Sequence, residues 1–167
     1  MCCRELLAAA DRAVGGDTQG MFELCVRNPD KGAITVEEIH KRLVPFQEEG
    51  LTVVLTDAPL YTLKAQLFEG ARFVLGYDTA VRIVMHKYYG NSEARMAADF
   101  ATLHAAGCGF IVGGRVDGNT GRFLGLHDIN VPKFLQDMGV KFDAIAEDAF
   151  RLDISSTELR RAAERKE

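Results

Sequence analysis

Short apolar runs alternate with segments of helical periodicity along nearly the whole chain, and few architectures accommodate that pattern. Leu6, Leu7, Ala10 and Val14 keep helical spacing before Gly15-Gly16 stops the helix. A strand-like run from Met21 to Val26 is closed by the turn Asn28-Pro29-Asp30-Lys31-Gly32. Thr35 with Glu38 three residues on starts a second helix, whose buried stripe is expected at Ile39, Leu43 and Phe46. Leu51 to Leu55 reads as a strand covered on both faces, being almost continuously apolar. A helix over Leu60–Phe68, a strand over Arg72–Leu75, helices over Thr79–His86 and Ser92–Ala106, and a strand over Gly109–Val112 continue the alternation. Val116–Leu126 suits a turn or hairpin. A short helix at Pro132–Met138, a strand at Phe142–Ile145 and a capped C-terminal helix complete it. Short strands separated by helices predict an α/β fold: a doubly wound, Rossmann-like parallel sheet with helices on both faces. The 167 residues suffice for one domain with a buried core.

Bulk properties remove several classes of function. A formal charge of -4 argues against a general nucleic-acid binder, and no apolar stretch approaches a membrane span. Cys2, Cys3, Cys25 and Cys108 show neither paired-ligand spacing nor a disulfide pattern, so reduced thiols and a cytoplasmic (alternatively nuclear) location are expected. His40, His86, His104 and His127 never pair at metal-ligand spacing.

The residues that carry chemistry fall after the predicted strands and at the last helix start. In Asp153-Ile154-Ser155-Ser156-Thr157-Glu158-Leu159-Arg160 two serine hydroxyls, free backbone N–H groups and a guanidinium one turn on converge, as a phosphate group requires. The same residues also read as a capping box, Ser155 with Glu158. Lys31 follows the first strand and could reach a phosphate or simply occupy an exposed turn. Gly76 lets a ligand approach the backbone, and Asp78 could accept ribose hydroxyls or cap the next helix. Arg115 in Gly113-Gly114-Arg115 is a candidate phosphate arginine or part of a glycine turn.

Phe73-Val74-Leu75-Gly76-Tyr77-Asp78-Thr79, followed far downstream by Ile154-Ser155-Ser156-Thr157-Glu158-Leu159-Arg160, resembles the nucleotidyltransferase superfamily. Within it the chain looks like the cytidylyltransferase-like group related to nicotinamide mononucleotide adenylyltransferases. Phe22-Glu23-Leu24, Asn28-Pro29-Asp30-Lys31, Arg82, Lys87-Tyr88-Tyr89 and Phe110-Ile111-Val112-Gly113-Gly114-Arg115 extend the resemblance from about Leu6 to Arg161. It implies transfer of a nucleotidyl group from ATP or CTP, with Mg²⁺, to a phosphorylated small molecule such as nicotinamide mononucleotide, and release of pyrophosphate. That is a step of NAD biosynthesis. By the same resemblance Ser155, Ser156, Thr157 and Arg160 hold the triphosphate, Gly76 and Asp78 hold a ribose, and Tyr88 or Tyr89 stacks on the acceptor ring. The expected partners are therefore a nucleoside triphosphate and a phosphorylated acceptor, with no nucleic acid and no membrane.

One family element does not occur in the sequence, the loop H-x-G-H that follows the family's first strand and stabilises charge on the transferring phosphates. On the family pattern that strand lies mid-sheet, between the strands at Met21–Val26 and Arg72–Leu75. Its absence would leave unpaired backbone groups at about 1–3 kcal/mol each. The chain is accordingly expected to be an incomplete form of the domain (a truncated gene model, an alternative start or a fragment) with weak catalysis at most. The alternative is a nucleotide-binding or regulatory protein without transferase chemistry.

Overall fold

The computed structural model describes residues 2–15, 18–28 and 32–151. Along the chain come α1 (Cys2–Val14), β1 (Phe22–Cys25), β2 (Arg27–Asn28), β3 (Gly32–Ala33), α2 (Val36–Glu48), β4 (Val53–Thr56), α3 (Tyr61–Leu67) and β5 (Arg72–Gly76). Then follow α4 (Tyr77–Ile83), a 3₁₀ turn at His86–Tyr89, α5 (Glu93–Ala105), β6 (Gly109–Gly113), β7 (Arg115–Val116) and β8 (Phe123–Leu124). A 3₁₀ turn at Leu126–Asp128, α6 (Lys133–Asp137) and β9 (Lys141–Ala144) close the series. The C-terminal helix expected from the sequence lies outside the described residues.

The fold is mixed α/β with parallel strands. β1 pairs in parallel with β4, Phe22 opposite Val53. A second parallel sheet has the order β5-β6-β9, Arg72 opposite Gly109 and Phe110 opposite Phe142. Two short antiparallel hairpins, β2–β3 and β7–β8, project from the strand ends; the second answers the hairpin expected over Val116–Leu126.

The sheet around β6 organises the core. β6 has a neighbour on each side and all five of its residues are buried. Alternation along a strand sends successive side chains to opposite faces. Phe110 and Val112 join a cluster with Met96, Phe100, Leu103 and Leu135 from α5 and α6. Ile111 turns to the other face and meets Ala9 and Ala10 of α1, with Ile145 and Phe150. Helices therefore cover both faces of this sheet. The ring of Phe110 stacks on Phe142 at 5.0 Å between centroids and receives the edge of Tyr61 at 5.5 Å. Phe110, fully buried, contributes about 1.5–3 kcal/mol by transfer from water.

Local signals explain the helices. Ser92 Oγ accepts the Arg95 N–H at 3.3 Å and starts α5, whose Met96, Phe100 and Leu103 recur every three or four residues on the buried face. Thr35 Oγ1 accepts the Glu38 N–H at 3.2 Å and starts α2. The stripe Ile39, Leu43 and Phe46 is only half-buried, because α2 covers a two-stranded sheet. Nor is the strand near Leu51–Leu55 covered on both faces. It runs Val53–Thr56 at a sheet edge, and Leu55 is 50% exposed. The helix expected at Thr79–His86 starts earlier, at Tyr77, and gives way after Ile83 to the 3₁₀ turn carrying Tyr88 and Tyr89.

β1 and β5 face each other without pairing among the described residues. Between them lies a cavity of about 660 Å³, bounded by Leu6, Leu7 and Ala10 of α1 and by Tyr61 and Lys64 of α3. No helix among the described residues is long and apolar enough to cross a membrane.

Candidate functional site

Where β1, β4 and β5 end, the chain turns outward through Arg27–Asn28, Pro59–Leu60 and α4, and these turns enclose a second cavity of about 400 Å³. The carboxyl ends of parallel strands are the usual ligand position in α/β sheets, and the volume is that of a small-molecule pocket. Its charged wall consists of Arg27, Arg42, Lys64, Arg82 and Asp99. Its aromatic wall is Tyr61, Tyr88 and Tyr89, with Phe100 and Phe110 beneath.

Three of the four cations are already paired. Arg27 forks onto Asp57 with Nε and one terminal nitrogen, both at 2.7 Å. That hydrogen bonding holds the Asp57 carboxyl below its ordinary range and raises the guanidinium. Arg42 bonds Glu38 one turn back at 2.6 Å. Lys64, buried, donates to Glu23, whose carboxylate also accepts the Thr56 hydroxyl. Among the described residues Arg82 makes no ion pair, and Asp99 makes neither an ion pair nor a hydrogen bond. Among the described residues, Arg82 and Asp99 are thus the charged groups of the wall without an ion pair.

The two tyrosines after α4 divide their work. Tyr89 donates its hydroxyl to the Ile83 carbonyl at 2.7 Å and tilts its ring against Phe100 at 5.9 Å. Burial, and then the charge of Asp99, push its phenol well up. Tyr89 is therefore an anchor of the wall. Tyr88 is half-buried and carries the Lys87 ammonium 4.6 Å from its ring centroid. Tyr61 bridges the two cavities, edge-on to Phe73 at 5.2 Å; burial first, and then Glu23, raise its phenol.

Gly76, Asp78 and Arg115 gather beside this cavity, not in its wall. Gly76 is in register with Gly113 of β6, which brings the ends of β5 and β6 together. A Cβ built on Gly76 meets nothing within 4 Å, so the backbone there is open to a ligand. Asp78 does not cap α4, whose first turn has no side-chain cap. It accepts instead from Arg115, at 3.1 Å from both Nε and a terminal nitrogen. The Gly113-Gly114 pair has a packing reason. A Cβ on Gly113 would stand 2.3 Å from Leu6 Cδ1, and one on Gly114 would stand 2.2 Å from Phe123 Cζ.

Lys31, Ser155, Ser156, Thr157 and Arg160 lie outside the described residues. Sequence reasoning did not single out Arg27, Arg42, Lys64, Asp99 or Tyr61. Arg27 could have been found, standing directly after a strand as Lys31 does. Arg42 and Asp99 are polar residues on amphipathic helices, and nothing in their local pattern separates them from solvated ones. No group of three His, Cys, Asp or Glu residues suited to a metal occurs among the described residues. Comparison with protein families, with curated proteins and with solved structures finds no match to this chain.

Proposed function

We propose that the chain is a nucleotidyltransferase-like protein on a doubly wound sheet, binding a nucleoside triphosphate beside a phosphorylated, ring-bearing acceptor such as nicotinamide mononucleotide. The observation that carries this reading is the 400 Å³ cavity whose wall holds Arg82 and Asp99, neither ion-paired among the described residues, and a set of tyrosines. A pyridine nucleotide has the complementary set: a phosphate for Arg82, a cationic ring for Asp99, and a flat face for Tyr88. The triphosphate is assigned to the neighbouring ends of β5 and β6, where Gly76 is open and Asp78 and Arg115 are paired, with Ser155, Ser156, Thr157, Arg160 and Lys31 as its remaining ligands. In the transfer that this arrangement serves, an acceptor phosphate oxygen attacks the α-phosphorus of ATP or CTP, and the bond to the β-phosphate breaks to release pyrophosphate. Rate in such reactions comes from positioning and charge neutralisation. Mg²⁺ would be held chiefly by the triphosphate oxygens and would neutralise their charge.

The sequence has no H-x-G-H, and this favours a second reading, nucleotide binding without transfer. Removing one such charge stabiliser costs about a hundredfold to a thousandfold in rate.

Titration calorimetry with nicotinamide mononucleotide, and separately with ATP and Mg²⁺, tests the assignment. Saturable binding of both is expected, with Arg82→Ala lowering the acceptor affinity roughly tenfold to a hundredfold while ATP is little affected. No binding of the mononucleotide, or equal binding by the variant, would sink it. Pyrophosphate release with both ligands present then separates transferase from binding protein.

A further inference from the structure

We infer that Lys64 is a second ligand for the acceptor's phosphate, acting together with Arg82, and that Glu23 is its positioning residue. The inference rests on the proposed reading of the 400 Å³ cavity and adds a residue to it. The Lys64 side chain is only 8% exposed, so its ammonium is almost wholly withdrawn from water. An ammonium has three N–H donors and no acceptor. Among the described residues one donor is taken, by the Glu23 carboxylate. The Tyr61 ring, 5.8 Å from nitrogen to centroid, stands at the outer limit of a cation–π contact and accepts no hydrogen bond in its place. Two donors of a buried cation are therefore open, an arrangement that costs free energy until an acceptor arrives. Lys64 lines both cavities, whereas Glu23 lines the larger one alone. The lysine thus has its carboxylate on one side and the ligand space on the other.

The acceptor that suits those donors is a phosphate monoester. Such a group carries a charge of about -1.5 to -2 at pH 7, so one guanidinium leaves it short of neutral. Arg27 spends two donors in its fork on Asp57, and Arg42 is bonded to Glu38. Both side chains are about half exposed, where water and salt weaken a further charge contact. Lys64 is desolvated, and the same contact is stronger there. Glu23 does not cancel this role. One of its oxygens accepts from both Lys64 and the Thr56 hydroxyl, so β4 anchors the carboxylate and the carboxylate fixes the ammonium. It also offsets part of the positive charge that a ligand meets. Losing Lys64 should therefore weaken phosphate binding, and losing Glu23 alone should strengthen it. A pair that only fastened α3 to β1 and β4 would do neither.

Titration calorimetry with nicotinamide mononucleotide, and with nicotinamide riboside as the same ligand without phosphate, tests the pair. The double variant Lys64→Met/Glu23→Gln removes both charges and strands neither, so it should fold and melt close to the parent. It should bind the mononucleotide roughly tenfold to a hundredfold more weakly, with the riboside unaffected. Glu23→Gln alone should bind the mononucleotide about threefold or more tightly than the parent. Should that single variant fail to fold, the double variant decides. A double variant that binds the mononucleotide as the parent does would overturn the role of Lys64 and leave the reading of the cavity standing. Equal losses for mononucleotide and riboside would also overturn it, because the pair would then only shape the wall. Glu23→Gln binding as weakly as the double variant would overturn the part given to Glu23. A parent that binds no mononucleotide would overturn the reading of the cavity, and this inference with it.

Discussion

Gly76 and Gly114 both stand at the ends of parallel strands, yet a methyl group means different things at each. At Gly114 the added Cβ would lie 2.6 Å from the Leu124 carbonyl oxygen as well as against the Phe123 ring. A backbone oxygen cannot swing aside as a side chain can, so Gly114→Ala must push the β7–β8 hairpin off β6. The expected cost is about 1–3 kcal/mol, or roughly 3–10 °C in melting temperature by calorimetry. At Gly76 the φ of -76° suits alanine and the Cβ meets open space. Gly76→Ala should therefore keep stability within about 0.5 kcal/mol. If a nucleotide ribose lies against that backbone, the same variant loses ATP affinity in calorimetric titration with its melting temperature unchanged. A variant that binds ATP as the parent does removes Gly76 from the site. The contrast also bears on Arg115, whose ion pair with Asp78 hangs on the register between Gly76 and Gly113.

At the scale of elements, β6 joins the two buried clusters of the core, and Phe110 is at its centre. It is fully buried and touches the rings of Tyr61, Phe73, Phe100 and Phe142. Phe110→Ala should cost about 3–5 kcal/mol in denaturant unfolding, whereas Thr35→Ala, which removes only the cap of α2, should cost about 1 kcal/mol. If the two cost the same, β6 is not the organising strand. The elements themselves were legible because their signals are local: the Thr35 and Ser92 caps, the three-and-four spacing of Met96, Phe100 and Leu103, and the apolar run Phe110–Val112. Neighbours were not legible. The run ending at Leu55 is as apolar as a central strand, but an apolar run says only that burial is tolerated. The pairing that left β4 with one partner is not a local property. The candidate site divides in the same way. Gly76, Asp78 and Arg115 could be marked because they follow strands, and the structure brings them together. That Asp78 would choose Arg115, 37 residues away, over the α4 start depended on strand register. Arg42 and Asp99 enter the cavity only because α2 and α5 turn those faces toward it.

At the scale of the whole molecule, the two cavities meet at Tyr61, and this position ties stability to pH. Burial, reinforced by the charge of Glu23, raises the Tyr61 phenol above its ordinary value, and burial with Asp99 does the same for Tyr89. An unfolded tyrosine titrates near pH ~10. Below that value both states hold the proton and stability is full. Above it the unfolded chain releases the proton while the folded chain keeps it, so the unfolded state binds fewer protons and stability falls as pH rises. The slope is at most about 1.4 kcal/mol per pH unit for each such tyrosine. Tyr89 is a poor probe, since Tyr89→Phe also breaks the bond to the Ile83 carbonyl. The Tyr61 hydroxyl has no hydrogen bond among the described residues, so Tyr61→Phe removes the titration with little else. Denaturant unfolding at neutral pH should therefore find parent and variant close together, and above pH ~10 the variant should lose stability less steeply. Parallel losses would mean that the folded chain ionises Tyr61 freely, through water standing in the gap between β1 and β5. A ligand that seats against Tyr61 should then restore the difference.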